Sequence, residues 1–147
     1  MTTRRIVLDT NVCLDLFVFA DVHSNELMHM LEDGELTAVT RENCRDEWLR
    51  VLSSPAFSLD DVAREKCAAA YDKIIDCRNF ERKDYARLPL CTDQDDQKFL
   101  ELAYDAEAEF LITKDKALLK LSGKMRKLYD IRIISPVQSH LIASFLK

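Results

Sequence analysis

The acidic residues are the groups in this chain best placed to do chemistry. Asp9 closes a short apolar run, Arg4 to Leu8. Glu47 lies in the stretch Arg45-Asp46-Glu47-Trp48-Leu49-Arg50-Val51-Leu52, and Asp93, Asp95 and Asp96 cluster ahead of Phe99, Leu100, Leu102 and Ala103. Asp115 follows the apolar run Phe110 to Thr113. Each has a bland explanation. Aspartate at a helix start caps free N–H groups and favours the helix dipole, and a helical glutamate sits in water at little cost. Asp9 is harder to dismiss, because a carboxylate that ends a buried strand is costly without a partner. Several carboxylates on one edge repel one another, raise their pKa values and destabilise the fold. A divalent cation removes that cost. Oxygen donors suit Mg²⁺ or Mn²⁺, and Mg²⁺ keeps waters that can serve as nucleophile or proton source. His23, His29 and His140 lie far apart and near none of these acids, so zinc is disfavoured.

The elements that must position these acids follow from hydropathy. Arg4 to Leu8 reads as a buried strand. Thr10 and Asn11 offer caps for a very apolar helix, Val12 to Ala20. A second helix is expected over about Ser24 to Asp33, ended by Gly34, then a strand over Glu35 to Val39. A helix from Thr40 or Glu42 carries Cys44, Trp48, Val51 and Leu52 on one face until Pro55 stops it. A longer helix is expected from Leu59 to about Cys77, then a polar loop, Arg78 to Arg87. Asp95 to about Ala106 is helical, Phe110 to Thr113 a strand, and Asp115 caps a short helix through Leu121. Arg132 to Ile134 reads as a last strand, and Pro136 to Leu146 as a terminal helix. Strands alternating with helices imply a three-layer α/β/α sandwich around a mostly parallel sheet. In such a sheet Asp9 and Asp115 face one crevice at the carboxyl ends of the strands, where ligands bind, and Asp96 is able to join them.

Composition narrows the class. At 147 residues, 48% hydrophobic and 32% charged, the chain reads as one globular domain spanning 1–147. Its only glycines, Gly34 and Gly123, cannot build a dinucleotide fingerprint or a Walker loop. The N-terminal apolar run is too short for a signal peptide, and no stretch suits a membrane helix. Five scattered cysteines without a C-x-x-C pair read as reduced thiols, which points to the cytoplasm. The net charge of −5 counts against a broad basic nucleic-acid surface. Setting the four strand-end and helical acids aside leaves the rest of the chain nearly balanced. The acidic surplus then reads as a cation site rather than as a surface that repels phosphates.

The chain resembles the PIN-domain family of metal-dependent nucleases. Val7-Leu8-Asp9-Thr10-Asn11-Val12 looks like the family's opening strand. Glu47 with Arg50-Val51-Leu52 resembles its helical glutamate. Asp93-Gln94-Asp95-Asp96-Gln97-Lys98-Phe99-Leu100-Glu101-Leu102-Ala103 and Phe110-Leu111-Ile112-Thr113-Lys114-Asp115-Lys116-Ala117-Leu118-Leu119 resemble two further segments of one branch. That branch is described as the toxin of type II toxin–antitoxin pairs, similar to VapC toxins. Four motifs in order make the signal specific. The resemblance implies catalytic, metal-site carboxylates at Asp9, Glu47, Asp96 and Asp115, with Asp93 in support. Which of Asp93, Asp95 and Asp96 ligates directly stays open; Asp96 fits the usual helix start. Thr10, Asn11 and Thr113 look like supporting or phosphate-contacting positions. Lys114 stands where relatives often carry glycine and offers a cation for a substrate phosphate. Asp15 reads as a solvated helix residue, with a further site carboxylate as the alternative.

The resemblance implies hydrolysis of RNA phosphodiesters with one or two Mg²⁺ or Mn²⁺ ions, leaving 5′-phosphate and 3′-hydroxyl ends. The second reading is a PIN-like protein- or RNA-binding module that no longer cuts. A haloacid-dehalogenase-type site would need an aspartate at position 11, which is Asn11, and a receiver domain would need an acidic pair placed differently. Implied partners are an RNA substrate and a cognate antitoxin, with a homodimer as a further option and no membrane. The apolar segment Leu14 to Ala20 serves either as core or as part of such an interface.

Overall fold

Five short strands form one parallel sheet in the computed structural model, which describes residues 4–145. The strands are β1 (Arg4–Leu8), β2 (Leu36–Thr40), β3 (Ile75–Cys77), β4 (Phe110–Ile112) and β5 (Arg132–Ile134), in the order β3-β2-β1-β4-β5. Their partners are parallel throughout: Ile6 opposes Ala38 on one side and Phe110 on the other. Ala38 opposes Ile75, and Phe110 opposes Arg132. The order reverses at β1, so its carboxyl end, flanked by that of β4, is the switch point where such sheets bind ligands.

Among the described residues eight α-helices cover the two faces: α1 (Thr10–Phe17), α2 (Asn25–Glu32), α3 (Glu42–Leu52), α4 (Asp61–Ile74), α5 (Gln97–Asp105), α6 (Lys116–Leu119), α7 (Ser122–Tyr129) and α8 (His140–Phe145). Alternation along the strands sends their side chains into two cores. Ile6, Leu8, Ala38, Phe110 and Ile112 meet α1, α2 and α4 through Val12, Leu16, Leu27, Met30 and Tyr71. Val7, Val39, Leu111 and Ile133 meet α5, α6 and α7 through Phe99, Leu100, Leu102, Leu118 and Met125. Both faces of the sheet are covered, which is why Ile6 to Leu8 of β1 and Phe110 to Ile112 of β4 read as unbroken apolar runs. On the first face Trp48 stacks on Tyr71 at 4.9 Å, and the Phe17 ring meets both edge-on. That aromatic group locks α3, the carrier of Glu47, against α1 and α4.

Several expectations need correction. The long helix stops at Ile74, and Ile75–Cys77 is an edge strand. Only Ile75 of those three is buried, so no apolar run marks it. Helix α7 was not expected, because Met125 is its only buried residue and Gly123 lies within it. Helix α1 is capped by Asp9, not by Thr10 or Asn11, and ends at Phe17. The terminal helix is a 3₁₀ turn, Pro136–Gln138, followed by α8; its expected end at Leu146 lies outside the described residues. Gly34, with φ of +77°, takes the left-handed conformation that ends α2. Of the apolar segment after Asn11, Leu16 is buried and Leu14, Phe17 and Val18 pack on the core. Phe19 alone of its large side chains projects outward, against Phe57. No helix among the described residues is long and apolar enough to cross a membrane.

Candidate functional site

Asp9 sits where the sheet ends and α1 begins. Its backbone N–H continues the ladder onto Ile112 O at 3.0 Å. Its side chain is only 3% exposed and is fully engaged. Oδ1 accepts the Thr10 N–H at 2.7 Å and Oδ2 accepts the Thr113 hydroxyl at 2.7 Å. Burial pushes the Asp9 carboxyl up to about 6, with Glu47 and Asp115 adding to the rise and the two hydrogen bonds opposing it. Thr113 is wholly buried one residue beyond β4. Its Oγ1 also accepts the Asp115 N–H at 2.9 Å, so one hydroxyl fixes both acids.

Asp115 caps α6, accepting the Ala117 N–H at 2.9 Å. The cap reading is correct for Asp115, yet the same carboxylate also belongs to a cluster. Asp93, Asp96 and Asp115 each present an oxygen within 4.8 Å of the others. Asp96 lies in the 3₁₀ turn Gln94–Asp96 that leads into α5, and Asp93 caps that turn through the Asp95 N–H. Asp96 is 8% exposed and its Oδ2 has no hydrogen-bond partner. Burial raises the Asp96 carboxyl well above the usual range, and its contact with Asp115 raises it further; Asp9, Asp115 and Asp93 add repulsion. The same contact with Asp96 holds Asp115 below the usual range, helped by the Ala117 N–H. Within this contact Asp96 is the more readily protonated of the two acids.

Glu47 approaches from α3. Its Oε2 accepts the Thr10 hydroxyl, and its Oε1 pairs with Lys98 Nζ at 2.7 Å. Glu47 is thus close enough to act on Asp9, but it stands outside the close trio. Asn11 reaches Asp9 only at 3.5 Å and uses its Oδ1 to accept the Lys114 N–H at 3.3 Å. Lys114 does not present a free cation: its Nζ pairs with Asp15 at 2.8 Å. That pairing overturns the solvated reading of Asp15, which is buried at 6% exposure. The structure also brings in Lys98, which the sequence argument passed over. The signal was available, because Lys98 stands in the first turn of a helix whose preceding turn and its cap carry three acids.

Asp93, Asp96 and Asp115 make an all-oxygen cluster, with Asp9 and Glu47 close enough to influence one another beside it. A sequence model described as the PIN domain matches residues 5–117. The chain belongs to the PIN domain family. No curated protein sequence matches this PIN domain. Its fold is similar to a solved chain of VapBC2 from Rickettsia felis, determined bound to a DNA fragment from their promoter. The TM-score is 0.60 at 13% identity, over 89% of this PIN domain and 98% of that chain. At that identity the likeness speaks to the fold, and it agrees with an all-parallel α/β sheet. PIN domains are typically metal-dependent nucleases, and the acidic cluster of this one has the donor chemistry for a hard divalent cation.

Proposed function

We propose that this PIN domain is a Mg²⁺- or Mn²⁺-dependent endoribonuclease, the toxin of a type II toxin–antitoxin pair. The observation that carries the reading is the buried Asp96 carboxylate. It has an oxygen without a hydrogen-bond partner and lies among Asp93 and Asp115. A fold keeps such a group only against a stability cost, and a cation at that place removes it. The residues fit the ion: the three clustered groups are all carboxylates, the oxygen donors that Mg²⁺ and Mn²⁺ prefer. Asp93, Asp96 and Asp115 would hold it, with Asp9 and Glu47 at its margin. A bound ion supplies Lewis acidity toward a phosphodiester oxygen and lowers the pKa of a water.

The chain's own groups prepare the site. Thr113 fixes the spacing of Asp9 and Asp115 through one hydroxyl. Burial and the contact with Asp115 make the Asp96 carboxyl easier to protonate, and it would have to be ionised to hold a cation. Thr10 orients Glu47 through its hydroxyl. No side-chain nucleophile is required. The resemblance to VapC-like toxins supports RNA as the substrate, an antitoxin as the partner and the cytoplasm as the setting, with homodimerisation as a further option.

Incubation of the purified protein with single-stranded RNA tests the proposal. Cleavage is expected with Mn²⁺, and none with EDTA or in the double variant Asp9→Asn/Asp115→Asn. Cleavage that persists in either control refutes the mechanism. A wild type that binds Mn²⁺ and RNA without cutting would move the assignment to a binding module.

A further inference from the structure

Glu47 and Lys98 face one another across the gap between α3 and α5. Neither has the freedom of a surface residue: their side chains are 17% and 19% exposed. The Lys98 ammonium lies 2.7 Å from Glu47 Oε1 and 2.6 Å from the Asp95 carbonyl oxygen, and its end rests near the Phe99 ring. Thr10 occupies the other Glu47 oxygen. Both carboxylate oxygens are therefore taken by donors of the chain itself. This explains why Glu47, alone of the four carboxylates expected to be catalytic, has a bound counter-cation.

A divalent ion that recruits Glu47 must compete with that ammonium. Beside the pair lies a cavity of about 400 Å³ walled by Glu47, Arg50, Val51, Ser54, Asp95 and Lys98, which gives the displaced side chain room to turn. We infer that Lys98 is the exchangeable counter-cation of Glu47: it closes the carboxylate while no divalent ion is bound and yields it when one arrives. Lys98 is then a positioning residue that sets how tightly the site loads its ion. The inference rests on the metal site proposed above, and it assigns to Lys98 a role that the acids alone do not have.

Mn²⁺ titration by calorimetry, in wild type, Lys98→Gln and Lys98→Arg, each with and without Glu47→Gln, tests the exchange. Thermal unfolding establishes that every variant is folded. Removing a charge-assisted contact that the ion must break should tighten Mn²⁺ binding about three- to tenfold in Lys98→Gln. Lys98→Arg retains a competing cation and should stay close to wild type. In the Glu47→Gln background the Lys98→Gln effect should vanish, because there is no carboxylate to contest. Unchanged or weaker Mn²⁺ binding in Lys98→Gln overturns the inference. Equal tightening with and without Glu47 also overturns it, because the lysine would then act only as a distant charge. If wild type and Lys98→Gln both bind no Mn²⁺, the metal reading itself fails and takes this inference with it; Mn²⁺ binding to wild type separates the two failures.

Discussion

Replacing Asp9 with asparagine should stabilise the metal-free protein at alkaline pH, although it removes a group central to the site. The wild-type carboxyl titrates at about 6 in the fold against an ordinary 3.8. Its folded pKa is raised, so its contribution to stability is fully present below 3.8 and is lost as the pH climbs through about 6. By pH 8 the ionised, buried Asp9 costs about 3 kcal/mol relative to the unfolded chain. Asparagine keeps the Thr10 N–H on its carbonyl oxygen and gives up the carboxylate that the Thr113 hydroxyl now meets, a loss of about 1 kcal/mol. The variant should therefore be more stable than wild type by about 1–2 kcal/mol at pH 8, and level with it or slightly weaker at pH 4. Urea unfolding in EDTA at both pH values measures the difference. A gap between variant and wild type that does not change with pH, or that shifts toward wild type as pH rises, refutes the argument from burial.

Thr113→Val keeps the volume but leaves Asp9 and the Asp115 N–H without their shared hydroxyl; denaturant unfolding should show a loss of about 2 kcal/mol, and Mn²⁺ binding by calorimetry should weaken. Away from the site, Asp105 is fully buried and pairs with Arg41 at 2.8 Å while accepting the Lys83 N–H and the Tyr85 hydroxyl. Asp105→Ala strands the Arg41 guanidinium, and urea unfolding should register a loss of about 3–5 kcal/mol. A saturating divalent ion should raise the unfolding temperature of wild type, with about 2.7 kcal/mol of stabilisation at a hundredfold excess over Kd, and should do so far less in Asp96→Asn/Asp115→Asn.

The sheet and the acidic edge were legible because both follow local rules. Strands buried on two faces leave apolar runs, clearest at Ile6 to Leu8 in β1 and Phe110 to Ile112 in β4. Asp9, Asp96 and Asp115 were legible because they stand immediately after those runs or at a helix start; Glu47, mid-helix in α3, was legible only through the family resemblance. What stayed hidden depends on tertiary contact. Strand β3 continues the period of α4 and buries one residue, so only its pairing with β2 reveals it. The Lys114–Asp15 pair joins residues 99 positions apart, and it turns an apparent phosphate ligand into the partner of a buried carboxylate. Lys98 was visible as a lysine beside three acids, but its contact with Glu47 exists only once α3 and α5 are packed. The role of Asp9 as the α1 cap was misplaced by one or two residues, because Thr10 and Asn11 are equally good caps by type.

The central claim is that a divalent cation binds between the Asp96 and Asp115 carboxylates in place of the contact they now make. Crystals soaked in Mn²⁺ and measured for anomalous scattering test it directly. The account predicts a peak within about 2.5 Å of carboxylate oxygens of Asp96 and Asp115, with Asp9 or Asp93 completing the shell. An Asp96–Asp115 pair still in contact at saturating Mn²⁺, with no peak between these acids, would contradict it.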